Sequence, residues 1–287
     1  MCELIGVSRQ QYYRTIWHKA HSRNRATDVV RLVEQIRMEM PRIGGRKLYY
    51  LLFDKLQTMG VGRDRFFDIL RANHLLIMPK RSYHITTNSH HRFRKYKNLI
   101  AGMELTHPEQ VFVSDITYIG SRNDHLYLAL VTDAYSKKIM GYDLSRSLDT
   151  SGALNALKMA YRNKQYSQVK TIHHSDRGIQ YCSDKYQAQM RKYGITPSMT
   201  ESYDPYANAV AERVNGILKQ EFLLEELNLD FRGMCQAVRG AIATYNTSRP
   251  HYSCGYLTPK QMHAQHEMRI RTYRKITESK SRLTLCS

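Results

Sequence analysis

Three apolar, β-branched runs follow one another in the middle of the chain: Val111–Ile119, Leu126–Thr132 and Lys138–Leu144. Turn-forming residues bound them, Gly120–Asp124 between the first pair and Asp133–Ser136 before the third. That pattern predicts three consecutive strands joined by short loops. The period then changes. Apolar residues recur at helical spacing from Thr150 to Arg162, and Val169–His173 reads as a short buried strand. A helix over 184–193, a strand over 195–199, and helices over 205–224 and 231–247 complete a β-β-β-α-β-α-β-α order with one helix added. Asp204-Pro205 offers a helix start, with Asp as cap and Pro in the first turn.

The first hundred residues carry a helical pattern only. Val29, Val30, Leu32, Val33 and Ile36 recur at helical spacing until Pro41, and Gly44-Gly45 opens a turn before Arg46–Gln57. Gly60-Val-Gly62 separates that segment from Arg63–Asn73. Ahead of them, residues 2–16 resemble the second half of a helix-turn-helix. Gly6 supplies its turn, Ser8 its cap, and Arg9, Gln10 and Arg14 a side that could meet DNA. A short amphipathic helix without a groove contact is the alternative. These patterns divide the chain into a partial helix-turn-helix segment (1–25), a basic helical unit (26–78), a basic linker (79–104), a catalytic core (105–262) and a basic tail (263–287).

Charge sharpens that division. The whole chain holds 44 Lys and Arg against 25 Asp and Glu, a net of +19. Residues 1–100 hold 20 basic and 7 acidic residues, residues 101–259 hold 17 and 16, and residues 260–287 hold 7 and 2. A near-neutral body with basic ends fits a catalyst that grips a polyanion. The five cysteines form no Cys-x-x-Cys pair, which argues against a zinc ribbon or a disulfide framework and for a reducing compartment. The longest apolar run, Leu126–Val131, is far too short to span a membrane. A cytoplasmic, nucleoid-associated protein with no membrane partner is expected.

Three acids stand out against this background. Asp115 interrupts the apolar run Val111–Ile119, where a charge is costly unless paired or bound to metal. Asp176 follows the fourth strand, where α/β folds place ligand-binding residues. Glu212 lies on the helix after Pro205. There Asn208, Glu212, Asn215 and Lys219 fall on one side, and Val210, Val214, Ile217 and Leu218 on the other. Each acid alone has an ordinary reading: an ion pair, a turn former, a solvated polar face. Together they form an oxygen-donor set of the kind that Mg²⁺ or Mn²⁺ prefers.

Four ordered blocks carry a closer resemblance: Asp-Ile-Thr-Tyr (115–118), His-Ser-Asp-Arg-Gly-Ile-Gln-Tyr (174–181), Asn-Ala-Val-Ala-Glu-Arg (208–213) and Tyr-Asn-Thr-Ser-Arg-Pro-His (245–251). They resemble the second-frame (OrfB) transposase of the insertion-sequence-three family, within the retroviral integrase superfamily. Thirty-five residues lie between Asp176 and Glu212, the gap of that family's signature. Two departures flank the acids. Phe112 stands where the family usually has Trp, and Tyr203–Ala209 stands where many members have Gly-Asn-Cys-Tyr-Asp-Asn-Ala.

The resemblance implies an α/β, ribonuclease-H-like mixed sheet flanked by helices, behind a small all-helical, helix-turn-helix-like region. It implies an enzyme that cleaves and transfers DNA strands with Asp115, Asp176 and Glu212 as catalytic and metal-binding residues around two Mg²⁺ (or Mn²⁺) ions. Lys219, seven positions after Glu212, matches a substrate-DNA contact. Asn208, Asn215, Arg177, Arg9, Arg14, Arg46 and Lys47 are further DNA-contact candidates. The expected partners are terminal-repeat and target DNA, further copies of the chain on that DNA, and an upstream first-frame (OrfA) product supplying the missing half of the helix-turn-helix. His173 and His174 could orient a phosphate or pack in the core. Two other readings stay open: a nuclease of the same fold without strand transfer, and a non-catalytic DNA-binding regulator, which could have lost one of the acids.

Overall fold

The computed structural model describes residues 8–78, 96–120, 125–200 and 208–264, with the side chains of 18–20 left out. Gly6, Asp204, Pro205, most of the loop after Gly120, the linker up to residue 95 and the tail beyond 264 lie outside the described residues.

The chain begins with one long helix, α1 (Arg9–Glu39). Ser8 caps it as expected, its Oγ accepting from the Gln11 amide at 3.2 Å. The helix does not pause between the two N-terminal segments, and the expected boundary at residue 25 falls inside it. The physical reason is an absence of breakers: no Gly or Pro occurs between Arg9 and Glu39, and Pro41 is the first stop. Next come α2 (Gly45–Leu51), α3 (Phe53–Thr58) and α4 (Arg63–Ala72). The single helix expected over 46–57 is thus two, parted at Leu52.

The core sheet comprises β1 (Val111–Gly120), β2 (His125–Asp133), β3 (Ile139–Ser145), β4 (Ile172–Ser175) and β5 (Thr196–Met199). Its order is β3-β2-β1-β4-β5. The first three strands pair antiparallel, and β4 and β5 join parallel to β1. Between and after them run α5 (Thr150–Arg162), α6 (Ile179–Cys182), α7 (Asp184–Lys192), α8 (Ala209–Gln220), α9 (Phe231–Thr247) and α10 (Pro259–His263). A mixed five-stranded sheet in this order, flanked by helices, is the ribonuclease-H-like arrangement. β4 begins three residues later and ends two residues later than its apolar run suggested, because His173, His174 and Ser175 are buried strand residues despite their polarity.

Side-chain alternation decides what each sheet face meets. Phe112, Ala129 and Val131 pack against Ala156 and Ala160 of α5. Contact there is close at Gly141, where a Cβ would come within 2.6 Å of the Ala160 backbone nitrogen. The other face of β1 carries Val111, Val113, Asp115 and Ile119. Val111 and Val113 pack with Ala211 of α8. Leu126, Leu128 and Leu130 join Val214, Ile217 and Leu218 of α8, Val238 and Ile242 of α9, and the buried side chains of α1–α4 in one cluster. The helical unit therefore shares its hydrophobic core with the sheet.

Candidate active site

Asp115 sits in the middle of β1, opposite Leu130 on β2. Because β1 alternates, it turns toward α8. Its Oδ1 accepts from the Ile116 amide at 2.9 Å, and its Oδ2 accepts from Asn215 Nδ2 at 2.8 Å. Asp176 follows β4, the parallel neighbour of β1, so the two carboxylates emerge side by side. Asp176 Oδ1 accepts from the Gly178 amide at 3.0 Å, closing a turn that leads into α6.

These two acids feel each other strongly. Burial raises the Asp115 carboxyl first, the charge of Asp176 raises it further, and Glu212 adds a smaller push. The two hydrogen bonds work in the opposite direction, and the result is a carboxyl pushed up to about 7. Glu212 projects from the first turn of α8 and is exposed. Among the described residues no three His, Cys, Asp or Glu side chains gather tightly enough to enclose an ion. Two neighbouring carboxylates, with the charge of Glu212 also felt at Asp115, are oxygen donors of the kind that suits a hard divalent cation.

Other expected site residues fall elsewhere. Asn208 and Asn215 are buried, because α8 presses this side onto β1. Asn208 Nδ2 donates to the Ser114 carbonyl at 3.1 Å, and Asn215 holds Asp115. Both amides thus brace the site from within the fold. Lys47 is committed to Glu221, at 3.0 Å. Lys219 stands 3.8 Å from Glu225, half-exposed. Arg177 is half-buried beside Asp176, while Arg9, Arg14 and Arg46 are exposed.

His173 and His174 are core residues. His173 Nε2 lies 2.7 Å from Ser114 Oγ and 2.9 Å from Tyr186 Oη, and burial pushes the ring down to about 3, so it is neutral. His174 Nδ1 lies 2.9 Å from Ser198 Oγ. They bracket neighbouring strands under the two Asp residues. One side chain escaped the reading of the sequence. Tyr181 is buried, and its hydroxyl is pushed up by burial first, then by Tyr186, Asp115 and Asp176, so it feels the charge of the acidic pair. Its place at the end of the block 174–181 was the available signal.

Two family models, each described as an integrase core domain, match residues 106–205 and 193–259. An uncharacterised 31 kDa protein of insertion element IS600 from Shigella sonnei is 32% identical over 263 residues, covering 90% of this chain and 96% of that one. The transposase InsF for insertion sequence IS3A from Escherichia coli is 37% identical over 156 residues, 54% of each chain. Among solved structures, the HTLV-2 integrase catalytic core domain in complex with magnesium aligns with a TM-score of 0.44 at 20% identity. That alignment covers 55% of this chain and 97% of the other. Among the described residues no helix is long and apolar enough to cross a membrane.

Proposed function

The chain belongs to the insertion-sequence transposases with an integrase core, and we propose from that premise that it cuts and rejoins DNA strands through Asp115, Asp176 and Glu212. The observation that carries this reading is that Asp115 on β1 and Asp176 just after β4 stand on adjacent parallel strands, with Glu212 on α8, the helix that braces Asp115 through Asn215. Neighbouring carboxylates with perturbed ionisation are typical of functional sites, and a bound cation is one way to relieve their repulsion.

The three carboxylates are the residues that would hold two divalent ions, Mg²⁺ or Mn²⁺. Bound there, such ions supply Lewis-acid activation of a phosphodiester and of the attacking oxygen. The protein's own part is positioning. Asn215 and the Ile116 amide fix both oxygens of Asp115. The turn at Gly178 fixes Asp176. Helix α8 carries Glu212 and, two turns further on, Lys219, whose loose pairing with Glu225 leaves an ammonium able to meet a strand phosphate. The exposed Arg9, Arg14 and Arg46, with Arg177 beside Asp176, offer further phosphate contacts, which set affinity and make it salt-dependent. In-line attack by water frees a 3′-hydroxyl. Attack by that hydroxyl on a second phosphodiester forms a new P–O bond, breaks the P–O3′ bond of the attacked strand and releases that strand's 3′-hydroxyl, with no covalent protein–DNA link. Joining two ends takes two active sites or one site used in succession, and the family membership favours several copies of the chain on paired DNA, with an upstream first-frame product as a further partner.

Labelled element-end DNA incubated with the purified protein and Mg²⁺ should give both shortened strands and longer joined products. Shortened strands alone would favour the nuclease reading. Neither product from a folded, DNA-binding protein would favour the regulator.

A further inference from the structure

Hydrogen bonds from two distant parts of the chain converge on Glu221, the residue that closes α8. Its Oε1 accepts from Lys47 Nζ at 3.0 Å and from Arg249 Nη2 at 2.8 Å, and its Oε2 accepts from Arg249 Nε at 2.8 Å. Its main-chain carbonyl accepts from the Arg42 amide at 3.0 Å. Arg42 precedes α2, Lys47 lies on α2, and Arg249 follows α9. One residue thus ties the helical unit, α8 and the exit of α9 together.

The bidentate half of this node is an anchor. Arg249 is 1% exposed, the largest fully buried side chain among the described residues. Its guanidinium also lies 5.6 Å from the Tyr245 ring centroid, and Tyr245 Oη donates to the Lys137 carbonyl at 2.9 Å. Burial alone would raise the Glu221 carboxyl, yet Arg249 and Lys47 hold it below its ordinary range, so it stays ionised. The block 245–251, which the catalytic reading leaves without a role, contributes both Tyr245 and Arg249 to this anchor.

Lys47 has a different part. One Arg already neutralises one Glu, and burial, then the charge of Arg249, push the Lys47 ammonium down. A second cation in that place adds little net stability, as desolvation offsets the attraction. What it adds is a connection from α2 to α8. Glu221 lies nine residues after Glu212, about 13 Å along one rigid helix. Midway, Asn215 binds Asp115. A helix pinned at its end and its middle has its roll and slide fixed.

We infer that Glu221 is a positioning residue: with Lys47 and Arg42 it latches the helical unit onto α8, and so sets where Glu212 stands relative to Asp115. The latch rests on the bonds above. Its consequence for rate rests on the reading of Glu212 as a catalytic carboxylate.

The test uses the full chain as Glu221→Gln and as Lys47→Met, the second leaving the Glu221–Arg249 fork whole in case the first does not fold. Amide hydrogen exchange should be at least tenfold faster across 213–220 in Lys47→Met, with α5 unchanged. Cleavage of element-end DNA at saturating DNA should fall about tenfold, with the half-saturating DNA concentration unchanged, since sub-ångström displacement of a catalytic group slows chemistry without weakening binding. Unchanged exchange in α8 overturns the latch whatever the activity. A raised half-saturating concentration at unchanged maximal rate makes Lys47 a phosphate contact and also overturns it. Faster α8 exchange in a protein whose wild type processes no DNA supports the latch and counts against the transposase reading instead.

Discussion

Replacing Asp115 by Asn should make the protein more stable at pH 8 while it abolishes DNA processing. The wild-type carboxyl is raised from 3.8 to about 7, first by burial and then by Asp176. A shift of roughly three units, at about 1.36 kcal/mol each, corresponds to about 4 kcal/mol against the ionised form. Between pH 4 and 7 the unfolded chain has lost this proton while the folded chain keeps it. Wild-type stability therefore falls as pH rises through that window, and the full penalty is present above it. Asn has the same shape and no charge. It keeps an acceptor for the Ile116 amide, but presents an NH2 where Asn215 Nδ2 donates, so Asn215 must turn its Oδ1 inward to restore that bond; with the charge assistance gone the cost is about 1–2 kcal/mol together. The net gain is about 2 kcal/mol at pH 8 in chelating buffer, or about 4–8 °C in Tm for a chain of this size. Thermal melting by circular dichroism from pH 5 to pH 8 reads the effect directly. The two curves should meet near pH 5 and separate by pH 8. Equal melting at pH 8, or a gap that ignores pH, would refute the repelling pair from which the metal site is argued.

Three further outcomes follow from other parts of the fold. Glu109→Ala should cost about 3 kcal/mol in urea unfolding, because the buried carboxylate accepts from the Gln165 and Tyr166 amides at 2.7 and 2.9 Å and lies 3.2 Å from His263 Nε2. Burial opposes protonation of His263, but Asp133 and Glu109 raise it above 6.5, so this stabilisation is present at pH 6 and lost as pH rises through the raised value. The Glu109→Ala deficit should accordingly be larger at pH 6 than at pH 8.5. Gly141→Ala should lose about 3 kcal/mol or more, since its Cβ would press on the backbone of α5, and a normal melting temperature would contradict the packing. Lys219→Glu should weaken end processing at least tenfold with the melting temperature within about 1 °C, because a half-exposed pair at 3.8 Å contributes little to the fold. Wild-type processing would leave Lys219 as an ordinary surface lysine.

Much of the core was legible because its signals are local. β1–β3 announce themselves by apolar runs between turn residues, and Asp115 by breaking one of them. β4 was misplaced because its inward residues, His173 and His174, find partners in Ser114, Tyr186 and Ser198 that no local pattern reveals. The unbroken α1 was readable from the lack of Gly and Pro, yet two half-patterns invited a division. Asn208, Asn215 and Lys47 show the limit of reading a helix face. All carry polar ends suited to DNA, and all are held by partners distant in sequence: Ser114, Asp115 and Glu221. Spacing can say that Asn208 and Asn215 share a side with Glu212. It cannot say that the side turns partly inward against β1.

The central claim is that Asp115, Asp176 and Glu212 form one divalent-metal site. Anomalous diffraction from Mn²⁺-soaked crystals of the chain bound to DNA tests it most directly. An anomalous peak is expected within about 2.3 Å of carboxylate oxygens of both Asp115 and Asp176, with Glu212 contributing an oxygen to the same centre. Manganese bound elsewhere on the chain, with none touching Asp115 and Asp176 together, would contradict it.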